Sequence, residues 1–287
     1  LARHAASTDY PTLVIGESGT GKELLAHAIH NASPHRDGPF VPVNCGTLCG
    51  DLAVAEMCGY EPGAFTGAER RTHVGIFDIA RGGTLFLDEL QDLPPTPQSV
   101  LLRFLESGTF RRVGGTRPVQ SQPRVIAAAN LTIDDLERRG QVRSDLLYRL
   151  NCVTIELQPL RNRREDIRPI AERCLREELH FLGTVEEEFW GRLRDLPYAW
   201  PGNARSVRNV LLKAILASKQ DHLTRDDLPL DLGMRGRGGD PDADEQRAPD
   251  AMREMLGATG RNVSEAARRL GVHRSTIYRR LARLQNR

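Results

Sequence analysis

Gly16-Glu17-Ser18-Gly19-Thr20-Gly21-Lys22 has the residue types and spacing of a phosphate-binding turn. It follows the apolar run Thr12 to Ile15 and opens a helical pattern at Lys22, so backbone N–H groups and a helix N-terminus would face phosphate oxygens. Lys22 would reach the terminal phosphates. Glu23 stands where Ser or Thr normally touches magnesium, which leaves the metal to a second acidic site and water. That second site is Asp88-Glu89, at the end of the apolar run Gly82 to Leu87. Carboxylates at a strand's C-terminal end suit triphosphate hydrolysis, Asp88 for magnesium and Glu89 for polarising the attacking water. Alone, the pair would also serve as an acidic helix cap. Between the two motifs lies Gly63-Ala64-Phe65-Thr66-Gly67-Ala68, uncharged, with glycines near both ends and one aromatic. Such a composition suits a flexible loop that pushes a Phe outward. The plainer alternative is a glycine-bounded surface hairpin with a partly buried Phe.

These residues need a frame. Strand-like runs at Thr12 to Ile15, Phe40 to Val43, Thr84 to Leu87, Val125 to Ala128 and Val153 to Leu157 alternate with helical patterns such as Lys22 to His30 and Pro97 to Leu105. That alternation predicts an α/β domain with a mainly parallel sheet over residues 1–160. From Arg164 to about Gln220 strand signals stop and helical segments remain at Asp166 to His180, Glu186 to Leu196 and Ala204 to Ser218, predicting a helical lid over 161–232. Residues 233–249, rich in glycine and charge with two prolines, read as a flexible linker. A small all-α unit over 250–287 completes the chain.

With 287 residues and 39% hydrophobic content the chain is long enough for one large domain plus smaller modules. No apolar run approaches the roughly 20 residues that span a bilayer and no signal pattern opens the chain, so the expectation is a cytoplasmic protein with no membrane partner. Cys45, Cys49, Cys58, Cys152 and Cys174 follow no C-x-x-C or zinc spacing and read as reduced core residues. The net charge of +2 is unevenly placed, because nine Arg face one Asp and two Glu from Asp250 to Arg287. In that tail, Ala266, Ala267, Leu270 and Val272 can pack against Ile277 and Leu281 across a turn at Gly271, which is a helix-turn-helix pattern. His273, Arg274, Ser275, Thr276, Tyr278 and Arg279 then belong to the helix that enters a major groove and meets phosphates. A helical hairpin with a solvated basic face is the competing reading.

Taken in order, these motifs resemble those of the sigma-54-dependent transcriptional activators, also called bacterial enhancer-binding proteins. The resemblance covers nearly the whole chain. It implies an AAA+ P-loop NTPase with a parallel sheet, a helical lid and a Fis-type helix-turn-helix. It implies ATP and Mg2+ as cofactors, with Gly16 to Glu23 as Walker A region and Asp88-Glu89 as Walker B. Asn44, in Phe40-Val41-Pro42-Val43-Asn44-Cys45, corresponds to the switch that holds the catalytic Glu89 until the remodelling target is engaged. Asn130, ending Arg124 to Ala129, corresponds to the first sensor of γ-phosphate. Arg143 and Arg149 correspond to arginine fingers supplied to the neighbouring subunit. Arg205, after Trp200-Pro201-Gly202-Asn203-Ala204, corresponds to the second sensor. Without the resemblance, the arginines would read as a solvated helix face and the Trp200 segment as a hydrophobic staple with an Asn cap.

The same resemblance assigns Gly63 to Ala68 to sigma-54 contact. It implies a hexamer or heptamer ring, dimeric when inactive, that binds double-stranded enhancer DNA and remodels sigma-54 RNA polymerase. The chain departs from the family at Ala129, usually Thr, at Ser206, usually Glu, and at Pro62, commonly Lys or Ala. An AAA+ helicase loader would need no Phe65-Thr66 contact, and a translocating loop would present cations to nucleic acid. A repressor with an inactive ATPase would not need intact Lys22, Asp88 and Glu89.

Overall fold

In the computed structural model, which describes residues 1–48, 50, 52–65, 71–218 and 222–229, the chain divides into two units, Leu1–Gln158 and Pro159–Arg287. The first unit runs α1 (Ala2–Ala6), β1 (Thr12–Ile15), α2 (Lys22–Asn31), β2 (Phe40–Asn44), α3 (Ala53–Cys58), α4 (Ile76–Ile79) and β3 (Thr84–Asp88). It continues through α5 (Pro95–Ser107), β4 (Thr109–Arg111), β5 (Pro118–Gln120), β6 (Arg124–Ala129), α6 (Ile133–Arg139), α7 (Ser144–Leu150) and β7 (Val153–Glu156).

Five of these strands form one sheet in the order β2-β3-β6-β1-β7, every pair parallel. β1, β3 and β6 are interior and covered on both faces, which is why each reads as an almost unbroken apolar run. The pleat still sorts their side chains. Leu13, Ile15, Leu85, Leu87, Val125, Ala127 and Ala129 enter one core with Met57, Phe77, Leu101, Phe104 and Leu146. Val14, Phe86, Ile126 and Ala128 enter another with Ala5, Ala6, Ala26 and Ile29. The register sets the functional edge, pairing Asn44 with Asp88 and Ile15 with Ala129.

The β4–β5 hairpin, pairing Thr109 with Gln120 and Arg111 with Pro118, is not anticipated by the hydrophobic pattern. Three-residue strands carry too little alternation to register, and Pro118 speaks against one. Arg124, the first residue of β6, is 1% exposed and its guanidinium donates to the carbonyls of Ala5 and Ala6. It thereby satisfies the C-terminal carbonyls of α1 and fixes that helix to the sheet.

In the second unit α8 (Ile167–Arg173) passes into a π-helical stretch, Cys174–Glu178, followed by β8 (Thr184–Val185), α9 (Glu187–Asp195), α10 (Asn203–Ala217) and β9 (His222–Leu223). Phe189, Trp190, Leu193, Trp200, Val207, Leu211 and Ala214 form its core. Strand signals were expected to be absent here, yet β8 and β9 pair in parallel over two residues each. The cysteines need a correction too. Cys45, Cys58 and Cys174 are buried, Cys152 is exposed with its thiol on the Arg149 carbonyl, and Cys49 lies outside the described residues.

Candidate active site

The strand β1 delivers its chain into the glycine-rich turn, whose Gly16 N–H donates to Ala129 O at 3.2 Å and so extends the sheet by one bond. A Cβ on Gly16 would lie 2.9 Å from both Leu157 O and Thr20 Oγ1, so the close approach requires glycine. Gly21 caps α2 with φ +99°, and a Cβ built there meets nothing within 4 Å. The turn is braced internally, since Thr20 Oγ1 donates to Glu17 O at 2.8 Å. Lys22 Nζ donates to Gly16 O at 2.7 Å and Glu17 O at 3.1 Å, which places its ammonium over the turn at the start of α2. Gly19 has a positive φ, Ser18 lies within the turn, and Glu23 is exposed in the first turn of α2.

At the end of β3, Asp88 is half-buried and its Oδ1 accepts the Glu89 N–H at 2.9 Å. Desolvation pushes the Asp88 carboxyl above the usual carboxylate range, opposed by that backbone hydrogen bond and by the Lys22 charge. Glu89 adopts φ 54°, ψ 49°, a left-handed conformation that costs a non-glycine residue about 1 kcal/mol. Its side chain makes no cap to the following turn, so the acidic-cap alternative does not describe it. It accepts a 2.8 Å hydrogen bond from Asn44 Nδ2 instead, and Asn44 Oδ1 in turn accepts the Gly46 N–H at 2.9 Å. Burial, followed by the charges of Asp88, Asp92 and Glu89, raises the neighbouring Cys45 thiol to about 12 and keeps it protonated.

Asn130 follows β6, is exposed, and its N–H donates to Gln91 Oε1 at 3.4 Å. Thus the Gly16–Lys22 turn, Asn44, Asp88, Glu89 and Asn130 all stand at the C-terminal edge of one sheet. Arg143 and Arg149 make their polar contacts elsewhere. The Arg143 guanidinium is bidentate to Asp145 at 3.0 and 2.7 Å and reaches Ser99 Oγ at 3.3 Å, while Arg149 donates to Leu105 O at 3.2 Å. Both arginines are exposed on the α5–α7 side of the unit. Gln98, 1% exposed, orients the start of α7: it accepts the Arg143 N–H at 2.8 Å and donates to Leu93 O and Gln141 O. Gln91 and Gln98 escaped the sequence reading, although a glutamine inside an apolar helical or strand-exit pattern is the available signal, since buried amides need partners.

Phe65 differs from expectation. It is half-buried and packs edge-on against Tyr60, ring centroids 5.0 Å apart, rather than projecting. Tyr60 stacks on His73, and Arg112 pairs with Asp78 at 2.7 Å and Glu61 at 3.6 Å beside the hairpin. Gly63 and Ala64 lead into this contact, whereas Thr66, Gly67 and Ala68 lie outside the described residues, as do His273, Arg274, Ser275, Thr276, Tyr278 and Arg279.

In the second unit, Arg205 is exposed on the first turn of α10. Asn203 is not the expected cap. It is the first helical residue, with φ 49°, and its Oδ1 accepts the Leu160 N–H at 2.7 Å. Ser206 Oγ accepts the Gly202 N–H at 2.9 Å, so this serine stabilises the turn that precedes Arg205.

A glycine-rich turn after an interior strand of a 2-3-6-1-7 parallel sheet, followed by a helical second unit, defines an AAA+ P-loop NTPase fold. Residues 1–156 match the Sigma-54 interaction domain family, 161–245 the AAA+ ATPase lid domain, and 252–287 the PucR C-terminal helix-turn-helix domain. The chain belongs to the sigma-54-dependent transcriptional activators. The helix-turn-helix is shared with expectation, while the matching family is named for PucR rather than Fis. Relatives include the transcriptional regulatory protein ZraR of Klebsiella oxytoca, 39% identical over 97% of this chain and 64% of its own length. Another is the acetoin dehydrogenase operon transcriptional activator AcoR of Bacillus subtilis, 39% identical over 96% and 47%. The chain therefore spans about half to two-thirds of the length of these relatives. Among solved structures, NtrX from Brucella abortus aligns with TM-score 0.71 and 30% identity over 99% of this chain and 66% of its own. NtrX has also been solved in complex with ADP and with ATP, each aligning at TM-score 0.68. Among the described residues, no helix is long and apolar enough to cross a membrane.

Proposed function

We propose that this chain is a cytoplasmic, ATP-hydrolysing activator that binds enhancer DNA through residues 250–287 and remodels the sigma-54 RNA polymerase closed complex through the Gly63–Ala68 loop. The observation that carries this reading is the 2.8 Å bond from Asn44 to Glu89, because it holds the candidate water-activating carboxylate by an amide on a different strand. A hydrolase that must wait for a protein target needs such a hold.

The residues present fit a nucleotide and its metal. The open space over Gly21 and the close-packed Gly16 make a cradle that a side chain would obstruct. Asp88 is a single half-buried carboxylate near Lys22, and magnesium on a triphosphate is held mostly by phosphate oxygens and water, so one carboxylate suffices. When bound, magnesium neutralises charge on the β- and γ-phosphates. Backbone N–H groups at the end of the turn and the start of α2 orient the phosphates and Lys22 meets the terminal ones. Glu89 orients a water toward the γ-phosphorus, yielding ADP and phosphate, once Asn44 releases it. Asn130 and Arg205 read the phosphates from the sheet and the lid at 161–232, with 233–249 as linker to the DNA-binding unit.

Arg143 and Arg149 act in trans, on the nucleotide of the neighbouring subunit in a hexamer or heptamer ring. Their exposure and their contacts on α5 support that direction. The inactive form is a dimer. In the loop, Phe65 must leave Tyr60 to reach sigma-54, and loss of one edge-on aromatic contact costs about 1 kcal/mol, small beside ATP hydrolysis.

The test is open-complex formation by purified sigma-54 polymerase on a supercoiled promoter with ATP, comparing wild type with Thr66→Ala while hydrolysis is followed. Activation lost in the variant with hydrolysis retained is the expected result. Hydrolysis without activation by wild type would overturn the reading in favour of a loader.

A further inference from the structure

Gln91 is the one-residue bridge between the two polar clusters at the sheet edge. It sits two residues beyond Glu89, is 7% exposed, and uses both ends of its amide. Oε1 accepts the Asn130 N–H at 3.4 Å and Nε2 donates to Asp92 Oδ2 at 3.1 Å. Those two partners fix the orientation of the amide, since a carboxylate accepts only from the NH2 end. Asp92 in turn lies against the turn that follows Asn44: its Cβ is 3.7 Å from a Cβ built on Gly46, and its charge acts on Cys45. Gly46 N–H donates to Asn44 Oδ1, and Asn44 Nδ2 donates to Glu89 Oε2. Hydrogen bonds therefore run from Asn130 through Gln91 to Asp92, which stands beside the Gly46 turn, and from Gly46 through Asn44 to Glu89.

The neighbouring position explains why a side chain from the β3 exit is needed. Ala129 is fully buried and carries no hydroxyl, so the end of β6 has only backbone to offer polar partners. We infer that Gln91 is a positioning residue that relays the state of Asn130 to the Asn44–Glu89 hydrogen bond, supplying in this chain a polar tie that Ala129 does not. The inference rests on the proposed roles of Asn130 and Asn44. Binding of the γ-phosphate at Asn130 shifts the Gln91 amide and with it Asp92 beside the Gly46 turn, which weakens the Asn44–Glu89 bond that target engagement then breaks. Without Gln91 the hold persists and hydrolysis slows.

The experiment is a double-mutant cycle on steady-state ATP hydrolysis, because contiguity alone does not establish coupling. Gln91→Met keeps the length of the side chain and loses both hydrogen bonds; Gln91→Asn keeps the amide and shortens its reach, and guards against a folding defect in the first variant. Each is expected to lower kcat about fivefold with KM for ATP within about twofold of wild type. In an Asn44→Ala background, where no hold remains to be released, the same substitutions are expected to change kcat by less than about twofold. An equal factor in both backgrounds, or no effect on kcat in wild type, overturns the inference. Asn130→Ala separates the parent reading: if it hydrolyses ATP like wild type, the proposed site itself fails, whereas if it is inactive and the Gln91 variants are not, only the relay fails.

Discussion

Asn44 and Glu89, 45 residues apart in the chain, meet side chain to side chain at 2.8 Å because β2 and β3 pair in a register that places Asn44 opposite Asp88. Glu89 is turned into left-handed backbone as it leaves β3, and this turn presents its carboxylate to the amide of Asn44. Asn44→Ala removes the hold without touching the phosphate cradle. Turnover in the absence of polymerase is expected to rise about threefold with KM for ATP little changed, as read by coupled phosphate release.

Glu89→Gln keeps the size of the side chain and removes its capacity to polarise water. Its kcat is expected to fall by roughly 10²-fold or more, while fluorescent ATP analogue binding remains within about threefold of wild type.

Asp88 gives a pH test. Its folded carboxyl lies above the ordinary value, so the folded chain favours the protonated form more than the unfolded chain does, and this contribution to stability is present below the ordinary carboxylate pKa near 4. It is lost as pH rises through the raised folded value. Asp88→Asn mimics the protonated form at every pH, so its Tm is expected to exceed that of wild type at neutral pH, with the difference shrinking toward about pH 4. A difference that grows on acidification would contradict the assigned burial.

Arg124 makes the clamp on α1 a stability element. Arg124→Ala strips the Ala5 and Ala6 carbonyls of their buried donor and leaves a void at the start of β6. A loss of about 3 kcal/mol in urea unfolding is expected, with α1 amides exchanging sooner than those of β3.

Trans action by the arginines is open to complementation. Arg149→Ala and Lys22→Ala subunits should each be inactive alone. Mixed in equal amounts, roughly a quarter of sites would join an intact Lys22 to a neighbour's intact Arg149, restoring turnover. Two inactive proteins that stay inactive together would place Arg149 in cis or outside the chemistry.

Local chemistry was legible from the sequence because it is written in contiguous residues. A phosphate cradle is made by the backbone of one turn, so Gly16 to Lys22 declares itself. The interior strands did so through runs long enough to show burial on both faces, and the carboxylates at the end of β3 through their position after such a run. The order of motifs was enough to mark the family. What folding decided are the pairings that no local pattern encodes. Gln91 meets the N–H of Asn130 39 residues away, and Arg124 reaches α1 across 119 residues, because strand order and register bring those positions to one edge or the other. Phe65 lies against Tyr60, where the composition of its loop suggested projection, since an aromatic ring with an apolar neighbour in reach buries surface rather than remain in water. The β8–β9 ladder likewise owes its existence to a partner distant in sequence, and the short β4–β5 hairpin to the packing of Phe110 on Phe77 and Phe104, not to their own two or three residues.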